Sequence, residues 1–153
     1  MAGRAAVTES AETSGDEASS GGAAVHEMCR CVPEVVPSAT GDIVVLRIDG
    51  EIDLLSLPVV RSAIAESVRR RPVDLVVDLA GLNFCCARGL DLLVTSGTTA
   101  ARHGVGYSVS GLPAHLSHIW ALLWTDEFPP CHPTAAMGVI TIQASWAGSV
   151  QLG

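Results

Sequence analysis

The most constraining feature of the sequence is an amphipathic helical stretch between two apolar runs of strand length. Residues 43–48 (IVVLRI) and 73–79 (VDLVVDL) are rich in β-branched side chains, which favour strands. Between them, Val60, Ile64 and Val68 recur at every fourth position, a spacing that gives a helix one apolar face. A strand, a helix and a second strand in this order predict a parallel strand pair joined by a right-handed crossover.

The rest of the pattern extends this unit into a mixed sheet. Residues 26–36 predict a proline-containing edge strand that forms a hairpin with the 43–48 strand. Further along, a helix is expected from near Arg88, with Leu90, Leu93, Val94 and Ala101 inward. A strand over 105–110 and a helix opened by Pro113 follow. The last elements are a short strand and a helix from Thr134 to about Gln143. The fold class is therefore α/β, with a mixed four- to five-stranded sheet packed with about four helices.

Both ends of the chain differ in composition from this core. Residues 1–24 are rich in Ala, Ser, Gly, Thr and Glu, and such a segment buries too little apolar surface to offset its ordering entropy. We expect a disordered tail over 1–24, one domain over 25–144 and a loose C-terminal tail over 145–153. No secretory h-region and no apolar run of about 20 residues is present, which favours a cytoplasmic protein without a membrane partner and with reduced cysteines.

Charge and side-chain spacing exclude several functions. The formal net charge of −7 argues against nucleic-acid binding, which needs a basic patch. His26, Cys29 and Cys31 suggest a metal site, but Cys29 and Cys31 lack the two-residue gap of zinc knuckles, so no metal site is expected. The sequence contains no glycine-rich phosphate loop and no nucleophile elbow, and we expect neither a cofactor nor enzymatic activity.

Two motifs stand within this architecture. The first is Gly50-Glu51-Ile52-Asp53, directly before the first helix, and the second is DLAGLNF over residues 78–84, followed four residues later by Gly89-Leu90. Together they resemble the STAS family, named for sulphate transporters and anti-sigma-factor antagonists. The resemblance covers about residues 26–143 and implies a single STAS-like domain of the anti-sigma-factor-antagonist type.

The family's phosphorylation site is degenerate in this chain. In that family an Asp followed by two hydroxyl residues precedes the Gly, and a kinase that doubles as the anti-sigma factor phosphorylates one hydroxyl. The unphosphorylated antagonist binds that kinase and frees the sigma factor. Here Cys86 falls on the Asp position, and Ala87 and Arg88 fall on the hydroxyl pair.

The resemblance implies a bacterial stress-response regulator of transcription that binds a kinase-like anti-sigma factor without control by phosphorylation at the usual position. The implied partner-binding residues are Asp53, Cys86, Ala87, Arg88 and Gly89. A different function also fits the family: a scaffold or sensor subunit that binds a small ligand or other STAS proteins, through an apolar patch around Trp120 and Trp124. The sequence does not indicate an oligomeric state.

Several side chains have a structural interpretation beside the functional one. Asp53 contacts the partner or caps the helix near Ser56, and Arg88 meets an anionic partner group or is solvated. Cys85 and Cys86 lie near a helix N-terminus, where a lowered pKa suits a redox sensor. In the other interpretation, Cys85 is a small buried apolar residue. Asp78 is expected to accept hydrogen bonds from loop N–H groups.

Overall fold

The computed structural model describes residues 29–123 and 128–151, and every structural statement below refers to these residues. Its elements follow the order β1 (Cys29–Ser38), β2 (Gly41–Ile52), α1 (Leu57–Arg69), β3 (Asp74–Asp78), β4 (Leu82–Cys85), α2 (Ala87–Arg102), β5 (Gly106–Ser110), α3 (Ala114–Leu123), β6 (Cys131–His132) and α4 (Ala135–Gln151). The predicted α/β class and mixed sheet are confirmed.

The sheet is ordered β1-β2-β3-β5-β6, with β1 at one edge as predicted. The β1–β2 pair is antiparallel, and the other pairs are parallel. Strand β2 is longer than β3. Its residues 43–47 pair with β3, whereas its end, Gly50–Ile52, pairs with β4 in a ladder that contains a register shift. The sheet of the described chain therefore has six strands instead of four to five, and β4 lies where the sequence indicated a loop.

The two faces of the sheet are covered unequally. Helices α1, α2 and α3 cover one face and enclose the larger core, whereas α4 covers a smaller cluster on the other. The predicted stripe of α1 is confirmed, because Val60, Ile64 and Val68 are all buried. The larger core thus lies under the helices whose first turns follow the two motifs.

The predicted inward stripe of α2 is confirmed for three of its four residues. Leu93 is buried, Leu90 and Val94 are half-buried and pack against the larger core, but Ala101 is exposed. The buried positions are Gly89, Leu92, Leu93, Ser96 and Ala100. The small residues Gly89 and Ser96 let the helix approach the sheet closely, and a pattern based on apolar side chains does not detect such positions.

The last helix is longer than expected. α4 continues to Gln151 instead of ending near Gln143, so residues 145–151 are helical and not a loose tail. No proline or charged residue interrupts it, and the Ser145 hydroxyl donates to the Ile142 carbonyl at 2.8 Å. Among the described residues, no helix has the length and apolar character needed to cross a membrane. The proposed tail over 1–24 lies outside the described residues.

Candidate functional site

The structure brings the two sequence motifs together at one end of the sheet. The Cys86 N–H donates to the Ile52 carbonyl at 2.8 Å, and Ile52 pairs with Cys85 across the β2–β4 ladder. The Gly50 N–H donates to the Gly81 carbonyl at 3.0 Å. The loop that contains Asp53 and the first turn of α2 are therefore neighbours, held by backbone hydrogen bonds.

The glycines of the two motifs are required by backbone conformation or by close packing. Gly50 adopts a positive φ of +99°, which other residues rarely tolerate. A Cβ atom on Gly81 would collide with the Asp49 carboxylate. A Cβ on Gly89 would lie 2.7 Å from both Cys85 Sγ and Ile52 Cγ2, so only glycine lets α2 rest on the end of β2. Gly89 thus fixes the position of the α2 N-terminus.

Asp53 organises the entry to α1. Its Oδ1 accepts hydrogen bonds from the N–H groups of Ser56 at 2.8 Å and Leu55 at 3.0 Å. These donors, the Ser56 N–H first among them, hold the pKa of the Asp53 carboxyl below its ordinary value. In return the Asp53 N–H donates to Ser56 Oγ at 2.9 Å. This geometry supports the capping interpretation of Asp53, while a partner contact stays a prediction.

Ser56 occupies the N-cap position of α1, but its hydroxyl is not used as a helix cap. The side chain is buried, and its Oγ donates to the Glu51 carbonyl at 2.9 Å. It makes no hydrogen bond to an N–H group of the helix. Ser56 therefore ties the helix start back to β2, and Asp53 supplies the acceptor for the free N–H groups.

The first turn of α2 presents the predicted degenerate phosphorylation site to solvent. Cys86 is the half-buried N-cap and makes no side-chain cap hydrogen bond. Ala87 and Arg88 are exposed, whereas Gly89 is buried. Within the described part of the chain, Arg88 takes part in no ion pair. Its charge stands at the positive end of the helix dipole, where an arginine gains nothing from the helix itself.

For Cys85, burial supports the structural interpretation over the redox one. Cys85 is buried, and this desolvation, with a smaller contribution from the charge of Cys86, raises the pKa of its thiol to about 12. A thiol with such a pKa stays protonated at neutral pH and is a poor nucleophile. Cys85 therefore acts as a small apolar core residue, and the redox hypothesis rests on Cys86 alone.

Asp78 has the structural role expected of it. The buried carboxylate accepts a hydrogen bond from the Ala80 N–H at 3.2 Å, and its other oxygen lies 3.5 Å from Arg47 Nε. It thereby orders the turn that leads from β3 to β4.

The sequence analysis missed an apolar component of this surface. Leu54 and Leu55 in the loop before α1 are 64% and 69% exposed, and Phe84 at the end of β4 is 48% exposed. Their positions near Asp53 and Cys86 were visible in the sequence, but their exposure is a property of the folded domain. Exposed leucines and an exposed phenylalanine are typical of protein contacts rather than of catalysis.

Two further expectations concern residues near the site. The groups of three or more His, Cys, Asp or Glu side chains that a metal requires do not occur among the described residues. Trp120 is buried and packs edge-to-face on Phe128, with ring centroids 5.1 Å apart. Its proposed neighbour Trp124, like His26, lies outside the described residues, so the apolar patch is seen only through Ile119, Leu122 and Leu123.

Comparison with known proteins gives one family. Residues 35–129 match the family described as "Mlab, STAS domain", and this match covers more than half of the chain. No curated protein matches the sequence.

Solved structures share the fold at low sequence identity. An anti-sigma factor antagonist from Mycobacterium paratuberculosis is 23% identical, with a TM-score of 0.62 over 74% of this chain and 94% of that one. The unphosphorylated anti-sigma factor antagonist SpoIIAA is 14% identical, with a TM-score of 0.55 over 72% and 94%. The murine anion transporter Slc26a9 is 14% identical, with a TM-score of 0.58 over 67% of this chain and 18% of the transporter.

Proposed function

This chain belongs to the STAS domain family, and on that premise we propose that it is a non-enzymatic transcription regulator that binds a kinase-like anti-sigma factor and so releases a sigma factor. The proposed binding surface comprises Asp53 and residues 86–89. The observation that carries the proposal is the hydrogen bond from the Cys86 N–H to the Ile52 carbonyl, because it joins the two family motifs into one surface.

Binding is constitutive in this proposal. Phosphorylation of a hydroxyl at a helix start would add a charge of about −1.5 to −2 and could repel an acidic partner. Ala87 cannot accept a phosphate, and Arg88 keeps a fixed positive charge beside it. Both side chains are exposed, so a partner can reach them without rearrangement of the domain.

The apolar side chains at this end supply contact area. Leu54, Leu55 and Phe84 flank the charged positions, and apolar anchors beside a polar rim are the usual composition of a transient interface. We propose that the complex forms in the bacterial cytoplasm, where the thiols stay reduced and sigma factors act.

The proposal is tested by binding to the GHKL-type anti-sigma kinases of the same genome. The full chain is titrated into each purified kinase by calorimetry, with and without ATP. We expect one kinase to bind with equal affinity in both conditions and to transfer no phosphate to residues 84–90. A failure of every kinase to bind, or phosphate found in that segment by mass spectrometry, would refute the proposal.

A second function, a STAS scaffold or sensor subunit, is favoured by a separate observation. A groove of about 480 Å³ lies between α2 and α3, with a mostly apolar lining that includes Leu90, Val94, Ile119 and Leu123. Such a groove suits a small apolar ligand. Size-exclusion chromatography with light scattering separates the two ideas, because a scaffold assembles alone, whereas a regulator of an anti-sigma factor needs its partner.

A further inference from the structure

A second groove, of about 770 Å³, runs between α1 and α2, and we name it the α1–α2 groove. Its floor consists of buried side chains, mostly apolar (Leu57, Ile64, Val68 and Leu92), together with Ser96. The lining positions recur every three or four residues over 57–68 of α1 and 88–99 of α2. At 1.5 Å per residue, each wall is about 16 Å long, which equals about three helical turns.

The rims of the α1–α2 groove carry unpaired positive charge. Arg61 on α1 and Arg88 on α2 line it from opposite walls, and both are exposed. The ion pairs of the described residues are Arg47–Asp78 and Arg69–Glu66, so neither groove arginine is neutralised there. Asp91 is the one acidic lining residue. The groove is thus net positive on a chain whose formal charge is −7.

These charges are concentrated at one end of the groove. α1 and α2 each follow a strand of the same parallel set, β2 and β4, and pack on the same face, so their N-termini point to the same end of the sheet. Arg88 lies in the first turn of α2 and Arg61 in the second turn of α1. Toward the other end, the exposed lining residues are uncharged: Ala65, Thr95 and Thr99.

We infer that the α1–α2 groove binds an acidic amphipathic helix of about three turns that belongs to the protein partner. Its carboxylates lie against Arg61 and Arg88, and its apolar face covers the floor. A small anion would satisfy the arginines but leave the exposed apolar lining residues Leu54, Pro58 and Ala65 in water, whereas a helix covers both. This inference rests on the proposed function and extends the partner's contact from the α2 N-terminus along both helices.

The test uses the full chain and the kinase that binds it. Arg61→Glu reverses a groove charge, and Arg70→Glu makes the same change at an exposed site outside the groove. Ala65→Trp fills the groove, and Ser62→Trp adds the same bulk to an exposed α1 position outside it. We expect the two groove variants to raise Kd about tenfold or more, and the two controls to change it less than about twofold.

The outcomes separate this inference from the proposed function. Binding of Arg61→Glu and Ala65→Trp with wild-type affinity would overturn the groove site and leave the function intact. No binding of the wild-type chain to any kinase would overturn both. Restored binding of Arg61→Glu to a kinase variant with one surface Asp or Glu changed to Arg would support the inference. Circular dichroism and thermal unfolding confirm that each variant is folded.

Discussion

At the residue scale, Gly89 links the stability of the domain to the position of the candidate site. Gly89→Ala places a Cβ 2.7 Å from Cys85 Sγ and Ile52 Cγ2, atoms of the packed core. We expect the unfolding free energy to fall by about 1–3 kcal/mol because of overpacking. Gly148→Ala is the matched control, since nothing lies within 4 Å of its Cβ, and it should raise stability by up to about 1 kcal/mol. Urea denaturation measures both, and an unchanged stability of Gly89→Ala would contradict the packing argument.

Asp74 shows how burial makes one carboxylate unfavourable. Its Oδ1 is buried without a hydrogen-bond partner, and desolvation raises the pKa of the carboxyl to about 6. Because the folded pKa exceeds the unfolded one, this group favours folding below about pH 4, and the contribution is lost as the pH rises through about 6.

Asp74→Asn should therefore stabilise the domain at neutral pH. After allowance for partial exposure, we expect a gain of about 1 kcal/mol at pH 7.5 that disappears near pH 4. Asp42→Asn, at an exposed carboxylate near the start of β2, should have little effect at either pH. The measurement is urea denaturation at both pH values, and a gain of equal size at both would show that charge burial is not its cause.

The two adjacent cysteines should react differently. With a pKa of about 12, the Cys85 thiol has about one thiolate in ten thousand at pH 8, and burial blocks access as well. Iodoacetamide followed by peptide mass spectrometry should modify the half-buried Cys86 far faster. If Cys86 is a redox switch, mild peroxide lowers partner affinity of the wild type but not of Cys86→Ser. Equal affinity before and after oxidation would exclude the switch.

At the scale of the elements, substitutions of Asp53 at the start of α1 distinguish a helix-capping role from a partner-recognition role. Asp53→Asn keeps an oxygen acceptor for the Leu55 and Ser56 N–H groups, whereas Asp53→Ala removes it. We expect the alanine variant to lower Tm, and the asparagine variant to lower it less, because Asn keeps the acceptor but loses the charge. Because the pKa of Asp53 is lowered in the folded state, the stabilisation is present at neutral pH and is lost as the pH falls through the acid range.

The same pair of variants tests the proposed contact. If the Asp53 charge meets the partner, Asp53→Asn weakens binding although the domain stays folded at the temperature of the titration. Calorimetric titration with the kinase measures this, and wild-type affinity of Asp53→Asn would leave capping as the only role of the side chain.

The elements that the sequence could predict are those with a local pattern. Strand β3 has its own apolar run and helix α1 its own apolar periodicity. Strand β3 was found within a residue of the expected bounds, 73–79. Strand β4 was missed because two of its four residues, Asn83 and Phe84, are exposed and its pairing depends on the distant end of β2. Asp53 and residues 86–89 came from the family resemblance, whereas the groove beside them depends on how two helices pack.

At the scale of the whole molecule, the strand junction that supports the core also supports the proposed partner surface. Gly89 and Cys85 are buried parts of that junction, so changes there alter folding and binding together. Ala87 and Arg88 are exposed on the same turn, and substitutions there leave the core intact. Substitutions at these two positions should therefore change the control of partner binding without changing the fold.

Restoring a hydroxyl at the α2 start should restore control by phosphorylation. The variants are Ala87→Ser and Arg88→Ser, because either position can be the acceptor that the family uses. We expect the bound kinase, with ATP, to phosphorylate one of them and then to release it, since the added charge of about −2 replaces a neutral or positive side chain at the interface. Phosphate is located by mass spectrometry and release by calorimetry with and without ATP. Thr95→Ser, which keeps a hydroxyl further along α2, is the control and should stay unmodified. Wild-type binding of both variants in the presence of ATP, with no phosphate transferred, would mean that the partner is not a kinase of this kind.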